Sequence, residues 1–251
     1  MLSWYPVPSC GGRVCVTDEP DLARKQMKNG PVIGYVGKDP DTLDGWSGVF
    51  YLIMDLEVLT PRYLELVWCR YYHLPLVIAR TEDGILRELK EEDAPVLCRF
   101  YEEGGGDFLE EIPGEVRREG AAGVQAERLR IAAYIRHVYP VRGFGMYVLE
   151  QEGRVIGMAG FEMEEIAGES RIVMGYYVAP DKRRQGIARR ICRLLLDYGK
   201  KEYEMEAVYL RVKKENQASI ALAAKLGFKQ WMPDSKPTDS DLLFRILPAW
   251  K

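Results

Sequence analysis

The sequence predicts an α/β (α+β) fold in two parts. A central mixed, mostly antiparallel twisted sheet flanked by helices follows a small N-terminal α/β domain with parallel strands. Three observations carry this. From residue 85 onward the patterned segments run in the order β-α-α-β-β-β-α-β-α-β-β, with no long-period repeat. Two apolar runs, 144–151 and 154–164, meet across Glu152-Gly153, the signal of a tight hairpin. Before residue 80 the order is β-α-β-loop-β-α, which suggests crossovers and a small parallel sheet. The boundary falls near Thr81, giving domains 1–80 and 81–251.

In the first part, VCVTD (14–18) reads as a strand, and Asp21 to Asn29 as a helix stopped by Asn29-Gly30. PVIGYV (31–36) is a second strand, KDPDTLDG (38–45) a turn-rich loop and VFYLIMDL (49–56) a third apolar run. Thr60-Pro61 opens a helix reaching about His73, with proline where its missing N–H is harmless. In the second part, ILREL (85–89) is a strand, and Glu91-Glu92-Asp93 place acid at the positive end of the next helix. Gly104-Gly105-Gly106 stops that helix. It reads as a flexible loop, not a phosphate loop, because it follows a helix and leads into acidic sequence. The near-helical spacing of Leu129, Ala132, Ala133, Ile135 and Val138 predicts a helix over 123–139, ended by Pro140. After the hairpin, residues 168–171 turn into the strand 172–179. A helix (187–201), a strand (208–212), a helix (215–226) and two strands (228–232 and 241–247) complete the order.

Composition narrows the function. With 251 residues and 47% hydrophobic content the core can be sizeable. A net charge of -3 gives no basic excess for nucleic acid. The five cysteines (Cys10, Cys15, Cys69, Cys98, Cys192) are odd in number, scattered and without metal-type spacing, which suggests free thiols in a reducing compartment. His73 and His137 lie far apart, so no metal site is expected. The first residues lack a basic flank and an apolar stretch, and no apolar run approaches the roughly 20 residues that span a bilayer. The expectation is a cytoplasmic protein without a membrane or nucleic-acid partner; a homodimer is compatible with it.

The chemistry concentrates between Met174 and Phe228. An apolar strand ends at Ala179-Pro180, a basic loop turns at Gly186, and an amphipathic helix begins beside that glycine. Such a loop aims backbone N–H groups and the positive end of a helix dipole at one point, which is an anion site. Gly186 lets the main chain approach a diphosphate closely. Lys182, Arg183 and Arg184 add charge.

The spacing Arg183-x-x-Gly186-x-Ala188 resembles the acyl-CoA pyrophosphate loop of the GNAT superfamily of N-acetyltransferases, and the element order of about residues 84–248 is similar to the GNAT fold. The resemblance implies acetyl-CoA, or another acyl-CoA, as co-substrate. Its pyrophosphate would meet the amides of Arg184, Gln185, Gly186, Ile187, Ala188 and Arg189, beside Arg183. Its pantetheine would lie along the main chain of Tyr177 and Val178. Asn216-x-x-Ser219, then Leu222, Lys225 and Gly227-Phe228, resembles the second GNAT signature, in which the asparagine contacts the cofactor. Asn216 is equally suited to cap the following helix.

Two positions depart from the family pattern. The tyrosine that commonly protonates the departing thiolate falls at Ala223, which has no proton to give. Ser219, one helical turn earlier, is the nearest donor on that face. A glutamate common on the strand before the loop falls at Ile172. Glu162 and Glu164 on the neighbouring strand are the acidic substitutes, with Glu162 taken as base, and Tyr176 is placed at the acceptor site. The resemblance implies direct attack of a primary amine on the thioester, with the Val178 N–H stabilising the oxyanion. The acceptor is a small-molecule or protein amine. The alternative is a non-catalytic acyl-CoA-binding or sensing module, which Ile172 and Ala223 favour. In the first 80 residues, VCVTD, its helix and GPVIGYV resemble the last βαβ segments of haloacid-dehalogenase-like phosphatases. Within these residues Asp39-Pro40-Asp41 is the only DxD-like spacing and lacks the rest of the nucleophile pattern, so this part is read as non-catalytic.

Overall fold

A computed structural model describes residues 1–37, 43, 45–103, 120–232 and 241–247. The chain forms two compact units, Met1–Leu76 and Val77–Lys251. Asp39-Pro40-Asp41, the triple glycine at 104–106 and the acidic stretch from 104 to 119 lie outside the described residues.

The first unit contains β1 (Leu2–Val7), β2 (Gly12–Thr17), α1 (Pro20–Gln26), β3 (Val32–Tyr35), β4 (Leu52–Ile53) and α2 (Pro61–Tyr71). The sheet order is β1-β2-β3-β4. The pairs β2–β3 and β3–β4 are parallel, as the alternation of strands and helices predicts. The sequence reading missed β1, which runs antiparallel to β2. It carries Pro6, and a proline in a strand is tolerated at the sheet edge that β1 occupies. The apolar run 49–56 yields only two strand residues before Asp55 caps a short 3-10 turn, Leu56–Val58. Two glycines make room for aromatic rings within this unit. A Cβ at Gly34 would fall 2.2 Å from the Trp46 ring, and one at Gly12 2.1 Å from the Trp68 ring.

The second unit opens with a hairpin, β5 (Val77–Thr81) and β6 (Gly84–Glu88), so it begins earlier than the expected boundary near Thr81. Then come α3 (Ala94–Glu102), α4 (Ala121–His137) and α5 (Tyr139–Arg142), followed by β7 (Met146–Gln151), β8 (Arg154–Ile166) and β9 (Glu169–Val178). The unit ends with α6 (Ile187–Tyr203), β10 (Val208–Lys213), α7 (Gln217–Leu226), β11 (Lys229–Gln230) and β12 (Asp241–Ile246). Pro140 does not end the chain's helical course. It sits in the first turn of α5, where proline is tolerated, while the Tyr139 hydroxyl binds the Leu89 N–H and the Met146 carbonyl. The expected strand 228–232 shrinks to β11.

The eight strands lie in the order β11-β12-β10-β9-β8-β7-β6-β5. All neighbours are antiparallel except β9 and β10. One core runs through the unit, from Leu86 and Leu97 through Tyr147, Phe161 and Ile191 to Phe244. The start of α3 is tied to the sheet by buried charge. Arg87, 5% exposed, forms a bidentate pair with Asp93 and bonds Glu150 at 2.7 Å. No helix among the described residues is long and apolar enough to cross a membrane.

Candidate functional site

The parallel pair β9–β10 has a single paired position, Val173 opposite Tyr209. Beyond it the strands part, and a cleft of about 830 Å³ opens between Met174–Val178 on one side and Leu210–Val212 on the other, closed by α7. Along this stretch β9 is no longer paired with β10 at its cleft-side edge. Its other edge is paired with β8, where the Ala179 N–H donates to the Ile156 carbonyl at 2.9 Å. Antiparallel pairs alternate between bonded and non-bonded positions. Counting back in the unbroken register, Tyr177 opposite Met158 is bonded to β8, whereas Tyr176 and Val178 turn their N–H and C=O groups to the cleft. This differs from the sequence reading, which used the main chain of Tyr177 as well as that of Val178. The Tyr177 side chain instead packs on Phe100, with ring centroids 4.7 Å apart, and its hydroxyl donates to Glu103 at 3.2 Å.

The loop crosses one end of this cleft. Arg184 and Gly186 both have left-handed backbone, with φ of 62° and 78°. Gly186 is the N-cap of α6, and no side chain caps that helix. The first-turn amides therefore have no side-chain partner, the condition in which a helix start accepts an anion. Gly186, Ile187, Ala188 and Arg189 line the cleft. Among the described residues Arg184 and Arg189 have no ion-pair partner. Arg183 is differently engaged: its Nε donates to the Val178 carbonyl at 2.9 Å and its guanidinium lies 5.3 Å from the Tyr177 ring centroid. Gln185 bonds the Asp181 carbonyl at 3.3 Å. Two hairpin tips hold the loop from outside. Lys182 reaches Gln151 at 2.8 Å, Arg154 grips Asp181, and Arg190 grips Asp83.

On the α7 side, Asn216 accepts from the Ser219 N–H at 3.0 Å, so it does cap the helix, and it also lines the cleft. Tyr176 donates to Ser219 Oγ at 2.8 Å, and both residues line the cleft. Ala223 is fully buried in the core. Glu162 is not among the cleft-lining residues. Its carboxylate accepts from the Tyr134 hydroxyl at 2.7 Å and faces Arg142 at 3.4 Å. Burial and the neighbouring Glu162 carboxylate push the Tyr134 hydroxyl well up, so it stays protonated as a donor. Glu164 pairs at 2.6 Å with Arg211, which does line the cleft. Thus the structure gathers the loop, Val178, Tyr176 and Asn216 around one space, and leaves Glu162 to one side. Sequence reasoning missed Asp83 and Arg211. The dipeptide Asp83-Gly84 between two apolar runs was the available signal for the first, as a hairpin turn. Nothing in the sequence marks the second.

Residues 84–229, more than half of the chain, match the acetyltransferase (GNAT) domain family. The fold is shared by solved structures of low identity. A RimL ribosomal L7/L12 alpha-N-protein acetyltransferase in complex with coenzyme A is 17% identical, with a TM-score of 0.54 over 68% of this chain and 98% of that one. A ribosomal-protein-S5-alanine acetyltransferase from Vibrio fischeri is 17% identical, with a TM-score of 0.53 over 69% and 98%. The acetyltransferase from Agrobacterium tumefaciens is 19% identical, with a TM-score of 0.50 over 67% and 92%. Sequence match, strand order and the parted β9–β10 pair agree: the chain belongs to the GNAT acetyltransferase family.

Proposed function

We propose that this protein transfers an acetyl group from acetyl-CoA to a primary amine by direct attack, without a covalent enzyme intermediate. The observation that carries the reading is the uncapped, Gly186-led start of α6 opening onto the same cleft as the Val178 N–H, which faces away from β8. A diphosphate suits the first element and an amide-bearing pantetheine arm the second. The residues present therefore fit an acyl-CoA, with Arg184, Arg189 and the amides of Gly186 to Arg189 holding the diphosphate. The Val178 N–H is free to bond the thioester oxygen as it gains charge.

In the reaction the amine nitrogen bonds to the acetyl carbon, the C–S bond breaks, the amine loses a proton and the thiolate gains one. Ser219 is positioned to supply the thiolate proton in place of the missing phenol at Ala223, with Tyr176 donating to its oxygen. Glu162 is the proposed base, reaching the amine through water because it does not line the cleft. Most of the rate comes from holding amine and thioester together. The acceptor is a small-molecule or protein amine. The names of the RimL and Vibrio structures make a protein N-terminus the first class to try.

Ile172 and Ala223 favour a second reading, a non-catalytic acyl-CoA-binding module. One experiment separates the two. Calorimetry with CoA tests the cleft, and a screen of peptide and small amines with acetyl-CoA, read as free thiol, tests transfer. Binding without thiol release across the screen supports the module, and no binding removes both readings.

A further inference from the structure

The β5–β6 hairpin turn meets Arg190 beside the proposed diphosphate loop, with Glu82 at 3.6 Å and Asp83 closer. Asp83, 8% exposed at the hairpin turn, holds Arg190 by two 2.6 Å bonds, from Nε and Nη2. The third face of that guanidinium, Nη1, donates to the Gln185 carbonyl at 3.1 Å. Arg190 is thus occupied on both edges of its fork, and it is not among the cleft-lining residues, whereas Gly186 is. A trans peptide is planar, with its C=O and N–H pointing in opposite directions. Fixing the Gln185 carbonyl toward Arg190 therefore turns the Gly186 N–H away from it. The peptide is free to choose otherwise, because Gly186 has the freedom to take several conformations. Its direction has to be set from outside.

We propose that Asp83 is a positioning residue for the loop: through Arg190 it fixes the Gln185 carbonyl outward and so aims the Gly186 N–H at the bound diphosphate. The relay also cancels the Asp83 charge, which would otherwise repel the anion, and it keeps Arg190 from competing with the amides. The inference rests on the reading of this cleft as an acyl-CoA site. A plain structural clamp between hairpin and helix is the rival account, and it differs in what it does to ligands. A clamp lost loosens the whole cleft. A relay lost affects only ligands that carry the diphosphate.

The test uses the full chain and two probes, CoA and S-acetylpantetheine, which lacks the diphosphate. Asp83→Asn keeps the side-chain volume and removes the ion pair; Arg190→Lys keeps the charge and removes the bond to Gln185. Each variant should bind CoA about tenfold more weakly while S-acetylpantetheine changes by less than about twofold. Thermal melts identify a variant that does not fold, and the other variant then decides. Unchanged CoA affinity, or equal losses for both probes, overturns the relay. Failure of the unaltered protein to bind CoA is a distinct result, which overturns the cofactor assignment itself and the relay with it.

Discussion

The Tyr176 hydroxyl donates to Ser219 Oγ at 2.8 Å, joining β9 to the start of α7 in the wall of the cleft. A serine that accepts from a phenol keeps its own O–H for a third group. That third group is proposed to be the departing thiolate. Ser219→Ala should therefore lower kcat by about a hundredfold while leaving CoA affinity within about twofold, and Tyr176→Phe should lower it less. Steady-state rates with calorimetry on the same samples check this. Full kcat in both variants would reduce the pair to packing.

Gly186 is sensitive for two reasons. Its φ of 78° disfavours any side chain, and a Cβ would come within 2.8 Å of an Arg190 guanidinium nitrogen. Gly186→Glu adds a negative charge at the proposed diphosphate position. Binding of acetyl-CoA should weaken at least tenfold, about 1.4 kcal/mol. Equal affinity in a folded Gly186→Glu protein would place the diphosphate elsewhere.

The element order from β6 onward, the glycine turn before α6 and both departures from the family pattern were legible because they rest on local patterns. A glycine at a strand-to-helix turn, an apolar helix face and the Glu152-Gly153 turn each announce themselves within a few residues. Pairing across distance does not. The strand β1 hides behind Pro6, and β5, half-buried to exposed, carries no alternating apolar pattern to mark it as a strand. The relation of Asp83 to Arg190 spans 107 positions and is invisible to any window. The same holds for the bonding of Glu162 to Tyr134 and Arg142, which depends on how α4 and α5 pack on β8. The alternation along β9, which pairs the main chain of Tyr177 with β8 and turns that of Val178 to the cleft, likewise depends on which residue first pairs with β8.

Glu162→Gln should lower turnover most at neutral pH. Above the amine's own pKa the nucleophile is already neutral and the base is not needed, so the deficit should shrink as pH rises. The pH profile of kcat/KM, recorded for both proteins with one acceptor, is the measurement. Parallel profiles would remove Glu162 from the mechanism and make Glu164, next to Arg211 in the cleft wall, the next carboxylate to substitute.

The Arg87 network should govern stability in acid. The Arg87 hydrogen bond holds the Glu150 carboxyl below its ordinary value of 4.5, against the opposing effect of partial burial. A depressed folded-state pKa means that the unfolded chain binds more protons in this range. The contribution is therefore complete above the unfolded value and fades as pH falls through the folded one. Glu150→Gln should be less stable than the unaltered protein at pH 7, and the gap should narrow as pH falls below the ordinary carboxyl value of 4.5. Asp93→Ala should cost more, about 3 kcal/mol, because it strips the buried Arg87 of its bidentate partner. Urea unfolding across pH checks both, and a gap for Glu150→Gln that is constant from pH 7 to 3 would refute the assignment.

The last prediction concerns the division of the chain. We propose that the unit Val77–Lys251 carries acyl-CoA binding by itself. The core from Leu86 to Ile246 is built from this unit's own residues, and every residue proposed to touch the co-substrate lies between 176 and 219. The place of the cut matters. A chain shortened to begin at Thr81 loses β5, leaving the edge of β6 unpaired and removing Ile78 from its packing on the core. One that begins at Val77 keeps the hairpin and with it the Asp83 turn. The protein starting at Val77 should bind CoA within about threefold of the full chain, whereas the one starting at Thr81 should bind more weakly and melt earlier. Calorimetry and thermal melts on the two shortened chains decide it. A folded, monomeric Val77–Lys251 that cannot bind CoA would mean that the first unit takes part in the site.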